Sequence, residues 1–299
     1  MKSNLLGLLG MLLLLACTGS QHSTKAKFEE IEKAIYSRMI GADQLIAVAF
    51  KNLDTGETFF VNEKISMHAA SLMKVPVMIE AYKQAAAGKF SMSDSVQVIS
   101  QFKSIVDGSP FSIDLTSDSQ DPVCQKVGQK MTYRELIYHM ITISSNLATN
   151  ILIERIDVQN VTNTMRASRA DDIQVLRGVE DLKAFSKGLN NTTTAFDMML
   201  IMEAIAQKRV ATPETCEDML AILRDQKYRT KIPALLPKGV NVAHKTGSIT
   251  KIDHDAVIIE HPNGVRYILV VMTRGLEHEQ AVKHISEISK RIYEVISPT

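Results

Sequence analysis

The order of the predicted elements constrains the fold of this 299-residue chain more than any other sequence feature does. Strand-like apolar runs lie near both ends of the chain, and helical periodicity fills most of the region between them. Strands from opposite ends indicate one antiparallel sheet that both ends build together. We therefore predict an α+β fold, in which helices flank this sheet and an all-α domain is inserted between its two halves.

The apolar periodicity also sets the limits of the predicted domains. Residues 25–66 and 208–299 form the predicted sheet domain, residues 67–207 form the inserted all-α domain, and the cleft between them is the expected active site. The predicted strands are Leu45 to Phe50, Glu57 to Val61, Ala256 to Glu260 and Val265 to Thr273. The predicted helices are Phe28 to Ile40, Leu72 to Ala87, Thr132 to Ile143, Leu147 to Ile156, Val158 to Ser168, Thr194 to Gln207, Pro213 to Gln226 and Glu277 to Val295.

One stretch of the inserted domain lacks helical periodicity. Phe102 to Lys130 is rich in Ser, Asp, Gly, Pro and Gln, a composition that is typical of loops. We interpret it as a long surface loop that borders the cleft and could restrict the substrate range.

The N-terminus predicts export from the cytoplasm. Met1 to Ala16 carries one lysine and then leucine-rich runs that are too short to span a bilayer, which is typical of a secretory signal. These runs end in Leu14-Leu15-Ala16-Cys17, which resembles a bacterial lipobox, so Cys17 is the expected site of a lipid anchor. Cleavage without a lipid is the alternative. Residues 1–24 are thus predicted to be signal, anchor and tether of a periplasmic or otherwise extracytoplasmic protein.

Charge and cysteine content narrow the function classes. The formal net charge of +1 gives no electrostatic basis for binding nucleic acid. Neither Cys124 nor Cys216 has a cysteine or histidine at ligand spacing beside it, so no metal site is predicted. The two thiols could pair in an oxidising compartment, and the sequence leaves their pairing open.

Ser71 and Lys74 are the candidate nucleophile and its base. Three residues apart at the start of a predicted helix, they share one helix face, so the lysine amine could reach the serine hydroxyl. A lysine that is desolvated in a cleft can lose its proton and activate a hydroxyl. Two other Ser and Lys pairs have this spacing, but only Ser71 opens a helix-length run. An ordinary helix cap followed by a solvated lysine is the alternative.

Ser144-Ser145-Asn146, the single S-x-N sequence in the chain, offers part of what this serine needs to attack an amide. The Ser144 hydroxyl could deliver a proton to the leaving nitrogen. The Asn146 amide could bond both the substrate and Lys74.

Lys245-Thr246-Gly247-Ser248 contains the single K-T-G sequence and could supply the remaining groups. Lys245 and Thr246 could bind a substrate carboxylate. The backbone N–H groups of Ser71 and Ser248 could form an oxyanion hole.

In this order, S-x-x-K, S-x-N and K-T-G resemble the motifs of class A serine β-lactamases and penicillin-binding proteins. The resemblance covers the chain from about Lys25 to Val295, although Ser145 stands where the family usually has Asp. It implies the sheet and helix fold already predicted, a small-molecule β-lactam substrate and no cofactor. We expect a monomer.

The resemblance also implies a second catalytic group, Glu180. In the family, a glutamate on a surface loop holds the water that hydrolyses the acyl-enzyme, and Glu180 lies at the corresponding distance beyond Ser144. The family's loop reads Arg-x-Glu-x-x-Leu-Asn. Here Arg177 is one residue too far from Glu180, and Ala184 occupies the position of the asparagine. A solvated carboxylate beside Asp181 is the alternative.

A cation for the substrate carboxylate is the remaining expectation. His254 falls near the position at which many class A enzymes have an arginine, and Arg274 on the next strand is a second candidate; for His254 we favour an exposed side chain without this role. His68, His139 and His244 have no acidic partner at a telling spacing and are interpreted as structural.

The predicted function is hydrolysis of the β-lactam amide through an acyl-enzyme on Ser71, which would confer antibiotic resistance. Lys74 or Glu180 acts as the base of acylation. One alternative is a cell-wall peptidase or esterase of the penicillin-binding type, which would not depend on Glu180. A second is a non-hydrolytic sensor that stays acylated.

Overall fold

The computed structural model describes residues 24–116 and 120–297, so the predicted signal peptide and Cys17 lie outside the described residues. The helices are α1 (24–36), α2 (Lys74–Ala86), α3 (Tyr133–Thr142), α4 (Asn146–Ile156), α5 (Val158–Ala167), α6 (Leu182–Ser186), α7 (Ala195–Ala206), α8 (Pro213–Arg224) and α9 (His278–Ile296). The strands are β1 (Leu45–Asn52), β2 (Thr58–Val61), β3 (Met67–His68), β4 (Ser95–Gln97), β5 (Gln101–Lys103), β6 (Pro110–Ser112), β7 (Lys130–Thr132), β8 (Thr192–Thr193), β9 (Asn241–Ile249), β10 (Ile252–Glu260) and β11 (Arg266–Arg274).

A five-stranded antiparallel sheet joins the two ends of the chain, which confirms the predicted fold class. Its strand order is β2-β1-β11-β10-β9, so the N-terminal strand β1 pairs directly with β11 from the C-terminal end. Val48 lies opposite Val271 in that pairing. Because helices cover both faces of the sheet, the central strands are nearly continuous apolar runs, which is why their sequence pattern is strong.

Each face of the sheet has its own hydrophobic core. On one face, α1 and α9 pack their apolar stripes against the strands, and the α9 stripe of Ala281, Ile285, Ile288 and Ile292 is buried there. Burying one such isoleucine side chain stabilises the fold by roughly 2 kcal/mol. On the other face, α2, α7 and α8 belong to a larger core that reaches the remaining helices of the middle segment.

The middle of the chain is mainly helical, as predicted. α2 through α7 lie between β2 and β9 in sequence, together with three short two-stranded sheets, β3-β8, β4-β7 and β5-β6. Thr132 caps α3 as expected, and it forms a capping box with Glu135. The residue limits of the two predicted domains stay a prediction.

Two stretches contain regular structure that the sequence pattern does not predict. Phe102 to Lys130 was expected to be a surface loop, but β5 and β6 form a hairpin in it, with Phe102 and Ile113 buried. β9 was not predicted as a strand because polar residues interrupt its pattern. Cys124 is half-buried and Cys216 is buried. Within residues 24–116 and 120–297, no helix has the length and apolar character of a membrane span.

Candidate active site

Most of the predicted site residues line one cavity of about 680 Å³. Its walls come from the start of α2, the junction of α3 and α4, the loop before α6, and strand β9. The predicted site residues on its wall are Ser71, Ser144, Asn146, Glu180, Thr246 and Ser248.

Ser71 lies in a 3₁₀ turn, Ala70–Met73, that leads directly into α2. Ala70 has a left-handed backbone with φ 46°, and its N–H donates to Nδ1 of His68 at 3.0 Å. Gly247 of β9 lies so close that a Cβ on it would be 3.1 Å from the Ser71 nitrogen. A side chain here would force the strand away, so glycine allows β9 to lie against the backbone of the nucleophile.

Lys74 is fully buried, and its Nζ bonds to both ends of the S-x-N motif. It donates to the Ser144 carbonyl at 2.6 Å, to Ser144 Oγ at 3.1 Å and to Asn146 Oδ1 at 2.9 Å. Ser144 adopts a left-handed φ of 61°, and Ser145 caps α4 through a bond from the Ala148 N–H. The helix junction thus presents the motif to the lysine, as the sequence predicts.

Lys245 approaches the same hydroxyl from the other side. Its Nζ donates to Ser144 Oγ at 3.0 Å and to the Thr246 carbonyl at 2.8 Å. Complete burial, and next the charge of Lys74, hold the pKa of Lys245 well below its usual value. One hydroxyl between two lysine amines forms a short path along which a proton can move.

Glu180 belongs to this network through Asn146. Its Oε1 accepts a bond from Asn146 Nδ2 at 3.2 Å, and its Oε2 accepts a bond from the Asp114 N–H at 3.1 Å. Since Oδ1 of the same Asn146 side chain accepts from Lys74, Asn146 connects the candidate general base to the lysine. The half-buried Glu180 carboxylate is therefore held in the cavity wall rather than solvated.

Arg177 contacts the ends of the Glu180 loop and has no bond to Glu180 itself. Its guanidinium donates to the carbonyls of Leu189 and Gly178, each at 3.0 Å, and to Asn190 Oδ1 at 3.2 Å. Burial lowers the pKa of Arg177 from its usual value. This arginine closes the base of the loop.

Asn150 is a functional residue that sequence reasoning missed. Its side chain accepts from the Val179 N–H at 2.7 Å and donates to the Val179 carbonyl at 2.9 Å, directly before Glu180. It lies four residues after Asn146, on the same face of α4. That spacing was the available signal.

Lys231 is a second missed residue, a buried cation that lines the cavity beside Ser248. Its Nζ donates to Ser248 Oγ and to the Gly247 carbonyl, each at 2.7 Å, and pairs with Asp253 at 2.9 Å. Only 3% of its side chain is exposed. His278, on the rim of the cavity, also contacts Asp253, at 3.1 Å. No sequence motif surrounds Lys231.

The expectation for His254 is wrong, because its side chain is fully buried rather than exposed. Its Nε2 bonds to the His68 carbonyl at 3.0 Å, and burial lowers its pKa to about 4. Arg274 is exposed and does not line the cavity. His244 pairs with Asp255 at 3.0 Å in the core, which is consistent with a structural role.

The long segment Phe102 to Lys130 was expected to border the cleft. None of its described residues lines the cavity, and the segment packs behind the Glu180 loop instead. Within the described part of the chain, no three acidic, histidine or cysteine side chains are grouped as metal ligands would be.

Comparison with known proteins finds a family and similar folds. The model of the beta-lactamase enzyme family matches residues 29–296, which is most of the chain. PBP-A has a similar structure, with a TM-score of 0.76, 24% identity, and coverage of 90% of this chain and 95% of its own. A β-lactamase from Sphaerobacter thermophilus has a TM-score of 0.74, 24% identity, and coverage of 90% and 98%. A PBP-A variant has been seen as an acyl-enzyme with penicillin G, with a TM-score of 0.76 at 24% identity and coverage of 90% and 96%. No curated protein sequence matches the chain significantly.

Proposed function

The chain belongs to the beta-lactamase enzyme family, and on that premise we propose that it is a serine β-lactamase that opens the lactam amide through an ester on Ser71. Sustained hydrolysis of β-lactam antibiotics would confer resistance to them. The observation that carries the proposal is the connection from Glu180 through Asn146 to Lys74, because it joins a candidate base for hydrolysis to the acylating groups.

Acylation follows from the buried cluster. Lys74, or Glu180 through a water, removes the Ser71 proton as the oxygen attacks the lactam carbonyl. The N–H groups of Ser71 and Ser248 stabilise the oxyanion. Ser144 then passes a proton to the lactam nitrogen, with Lys74 and Lys245 on either side of its hydroxyl.

The substrate carboxylate is bound beside strand β9. Lys245 and Thr246 are the predicted ligands, and Lys231 adds a buried positive charge beside Ser248. Charge-assisted hydrogen bonds are roughly twice as strong as neutral ones, so this end selects substrates with an anionic group.

Deacylation is assigned to Glu180. Its carboxylate activates a water that attacks the Ser71 ester, and the returning proton releases the hydroxyl. General-base assistance of this kind contributes about 10² to 10⁴ in rate.

A cell-wall peptidase or esterase is the second candidate, and one observation favours it. PBP-A is as similar to this chain as the Sphaerobacter thermophilus β-lactamase is, each at 24% identity. Such an enzyme would use Ser71, Lys74, Ser144 and Lys245 without needing Glu180. A sensor that remains acylated is the third candidate.

A chromogenic cephalosporin distinguishes the three. Repeated turnover by the purified protein supports the β-lactamase. A stable wild-type adduct on Ser71 without turnover supports the sensor. Absence of reaction with the cephalosporin, together with cleavage of a D-alanyl peptide or an ester, supports the peptidase or esterase.

The cellular location is a separate proposal that rests on residues 1–24. We propose an extracytoplasmic protein anchored through a lipid on Cys17. Cells that express the wild type should hold the protein in the membrane fraction, whereas Cys17→Ser should release it. Equal fractionation of the two would contradict the anchor.

A further inference from the structure

The two neighbouring acids Glu180 and Asp181 are held by the same distant segment, residues 104–114, which we name the clamp loop. The Asp114 N–H of this loop donates to Glu180 Oε2 at 3.1 Å. Asp114 precedes Glu180 by 66 positions, so the contact is purely tertiary.

Asp181 anchors the clamp loop to the start of α6. Its Oδ1 accepts from Ser104 Oγ at 2.9 Å and from the Ala184 N–H at 3.1 Å, and its Oδ2 accepts from the Ile105 N–H at 3.0 Å. The Asp181 carboxylate is buried, with 1% of the residue exposed. Three donors on one buried carboxylate fix the loop relative to the peptide next to Glu180.

The backbone at Glu180 is strained and needs such support. Its φ is 66°, in the left-handed region that residues with a Cβ rarely occupy. Conformations of this kind persist only where the surroundings determine them. On one side Asn150 of α4 holds Val179, and on the other side the clamp loop holds Asp181.

The side chain of Glu180 is divided between the same two supports. Asn146 of α4 binds Oε1, and the clamp loop binds Oε2. The Ala184 methyl group offers no hydrogen bond to this carboxylate. The Asp114 N–H therefore has a task that no side chain of α6 performs.

We propose that the clamp loop is a positioning element for Glu180, which aims the carboxylate at the Ser71 ester through the Asp114 N–H and the Asp181 anchor. The inference rests on the proposed hydrolytic function of Glu180. With Lys74 as the base of acylation, ester formation depends on Ser71, Lys74 and Ser144, none of which the clamp loop contacts through a bond described above. Loss of the clamp should thus lengthen the life of the ester and leave its formation rate intact.

Asp114→Pro tests the direct contact, because proline has no N–H. Asp114→Ala is the matched comparison, since it removes the same side chain and keeps the N–H. The ester of the Pro variant should persist about 10 to 100 times longer than that of the Ala variant, the range for a lost bond to a charged group. Intact mass spectrometry measures its decay, and stopped-flow absorbance measures its formation.

Asp181→Asn provides an independent test in case the proline impairs folding. Asparagine still caps α6 but loses the charge that binds Ser104 and Ile105. Because only hydrolysis of the ester should slow in Asp181→Asn, kcat and KM should fall together and kcat/KM should stay at its wild-type value. Asp107→Asn is the control, because it neutralises an exposed ion pair between the clamp loop and Lys183 and keeps an oxygen that can accept from the Ser109 N–H.

Two results would overturn the inference. One is equal ester lifetime in the Pro and Ala variants and in Asp181→Asn and the wild type. The other is a fall in kcat/KM as large as the fall in kcat, which would indicate general structural damage. A wild type that never forms or never hydrolyses the ester would instead contradict the proposed function, so the two failures are distinguishable.

Discussion

The two halves of the candidate site are supported in different ways. Lys74 and Lys245 are fully buried on α2 and β9, and they meet at Ser144 on a tight helix junction. Glu180 lies on a loop, is half-exposed and has a left-handed backbone. Its carboxylate is held by the side-chain amide of Asn146 on α4 and by the Asp114 N–H of the clamp loop. The groups that form the ester thus belong to the core, whereas the group that hydrolyses it depends on loop contacts.

This difference has a kinetic meaning. Core elements exclude water and fix their side chains, so perturbations at the surface should leave acylation intact. Loop contacts are weaker and more easily changed, so the lifetime of the ester should be the adjustable property. Mutations should therefore be able to change the hydrolysis of the ester without changing its formation.

The largest effect is expected from Ser71→Ala. Removing the nucleophile should lower turnover by a factor on the order of 10⁶, which is typical of the loss of a catalytic serine, and should abolish the covalent adduct. Steady-state kinetics and intact mass spectrometry check both. If Ser71→Ala still formed the same adduct on another residue, the nucleophile would lie elsewhere in the chain.

Glu180→Gln should separate the halves most clearly. The amide keeps the shape of the carboxylate but cannot act as a base, so kcat should fall by about 10² to 10⁴ while the ester accumulates. Pre-steady-state absorbance should show acylation within a few-fold of the wild-type rate.

Glu294→Gln, an exposed change on α9, is the control for this variant. Equal loss of acylation and hydrolysis in Glu180→Gln would mean that the two halves share one base.

Lys231→Met should weaken selection of anionic substrates. Lys231 acts through Ser248 rather than through a bond to the substrate, and losing this charge-assisted bond of about 1.5–3 kcal/mol should lower kcat/KM by roughly 10- to 100-fold for a β-lactam with a free carboxylate. The loss of kcat/KM should be much smaller for the methyl ester of that substrate. A uniform loss for both compounds would argue against carboxylate binding.

The same variant should also lose stability, since the buried Asp253 loses its lysine partner and keeps only its contacts with Ser248 and His278. The expected cost is about 3–5 kcal/mol in the free energy of unfolding. Adding Asp253→Asn should recover part of the stability but not the kinetics.

Acid should destabilise the part of the protein around His68 and His254, the second of which lies on β10. Burial lowers the pKa of His254 to about 4, and burial, with the nearby Arg177, lowers that of His68 to about 4. The unfolded chain therefore binds more protons than the folded one between about pH 6.5 and 4, and the free energy of unfolding should fall as the pH drops through this window.

For the fully buried His254, a shift of this size corresponds to about 3 kcal/mol at the acid end. Urea unfolding at several pH values should give a shallower pH dependence for His254→Asn than for the wild type. Identical slopes would contradict the role of His254.

The smallest effect is expected from Gly178→Ala. A Cβ at this position would lie 2.9 Å from Asn150 Oδ1, so the loop or Asn150 must shift. We expect a loss of about 1–3 kcal/mol in the free energy of unfolding and a longer-lived ester, because Asn150 holds the residue before Glu180. Thermal unfolding measures the loss of stability, and the decay of the ester measures its lifetime. A changed acylation rate would contradict the separation of the two halves.

The sequence predicts the fold and the proximity of Lys74, Ser144 and Lys245 for identifiable physical reasons. β1, β10 and β11 are buried on both faces and read as apolar runs. β9 was missed because His244, Lys245 and other polar site residues occupy what would otherwise be an apolar strand. The S-x-x-K, S-x-N and K-T-G motifs place side chains with specific chemistry, so their meeting could be anticipated.

The supports of Glu180 could not be anticipated in the same way. Asp114 acts through a backbone N–H, which every residue except proline carries, so no side-chain pattern indicates it. Lys231 reaches Ser248 and Asp253 only through the tertiary fold. The expectation for His254 failed because the predicted strand begins at Ala256, whereas β10 begins at Ile252 and places His254 in the buried part of the sheet, where it bonds to the His68 carbonyl.

The central claim is that one ester on Ser71 is made by the buried cluster and broken with the help of Glu180. Intact mass spectrometry of the wild-type protein, sampled during turnover of a cephalosporin and again after its exhaustion, tests it most directly. We expect the wild type to carry an adduct on Ser71 during turnover and to have lost it afterwards. In Glu180→Gln the adduct should persist. A wild-type adduct that remains after the substrate is exhausted, or turnover with no adduct on Ser71 in either protein, would contradict it.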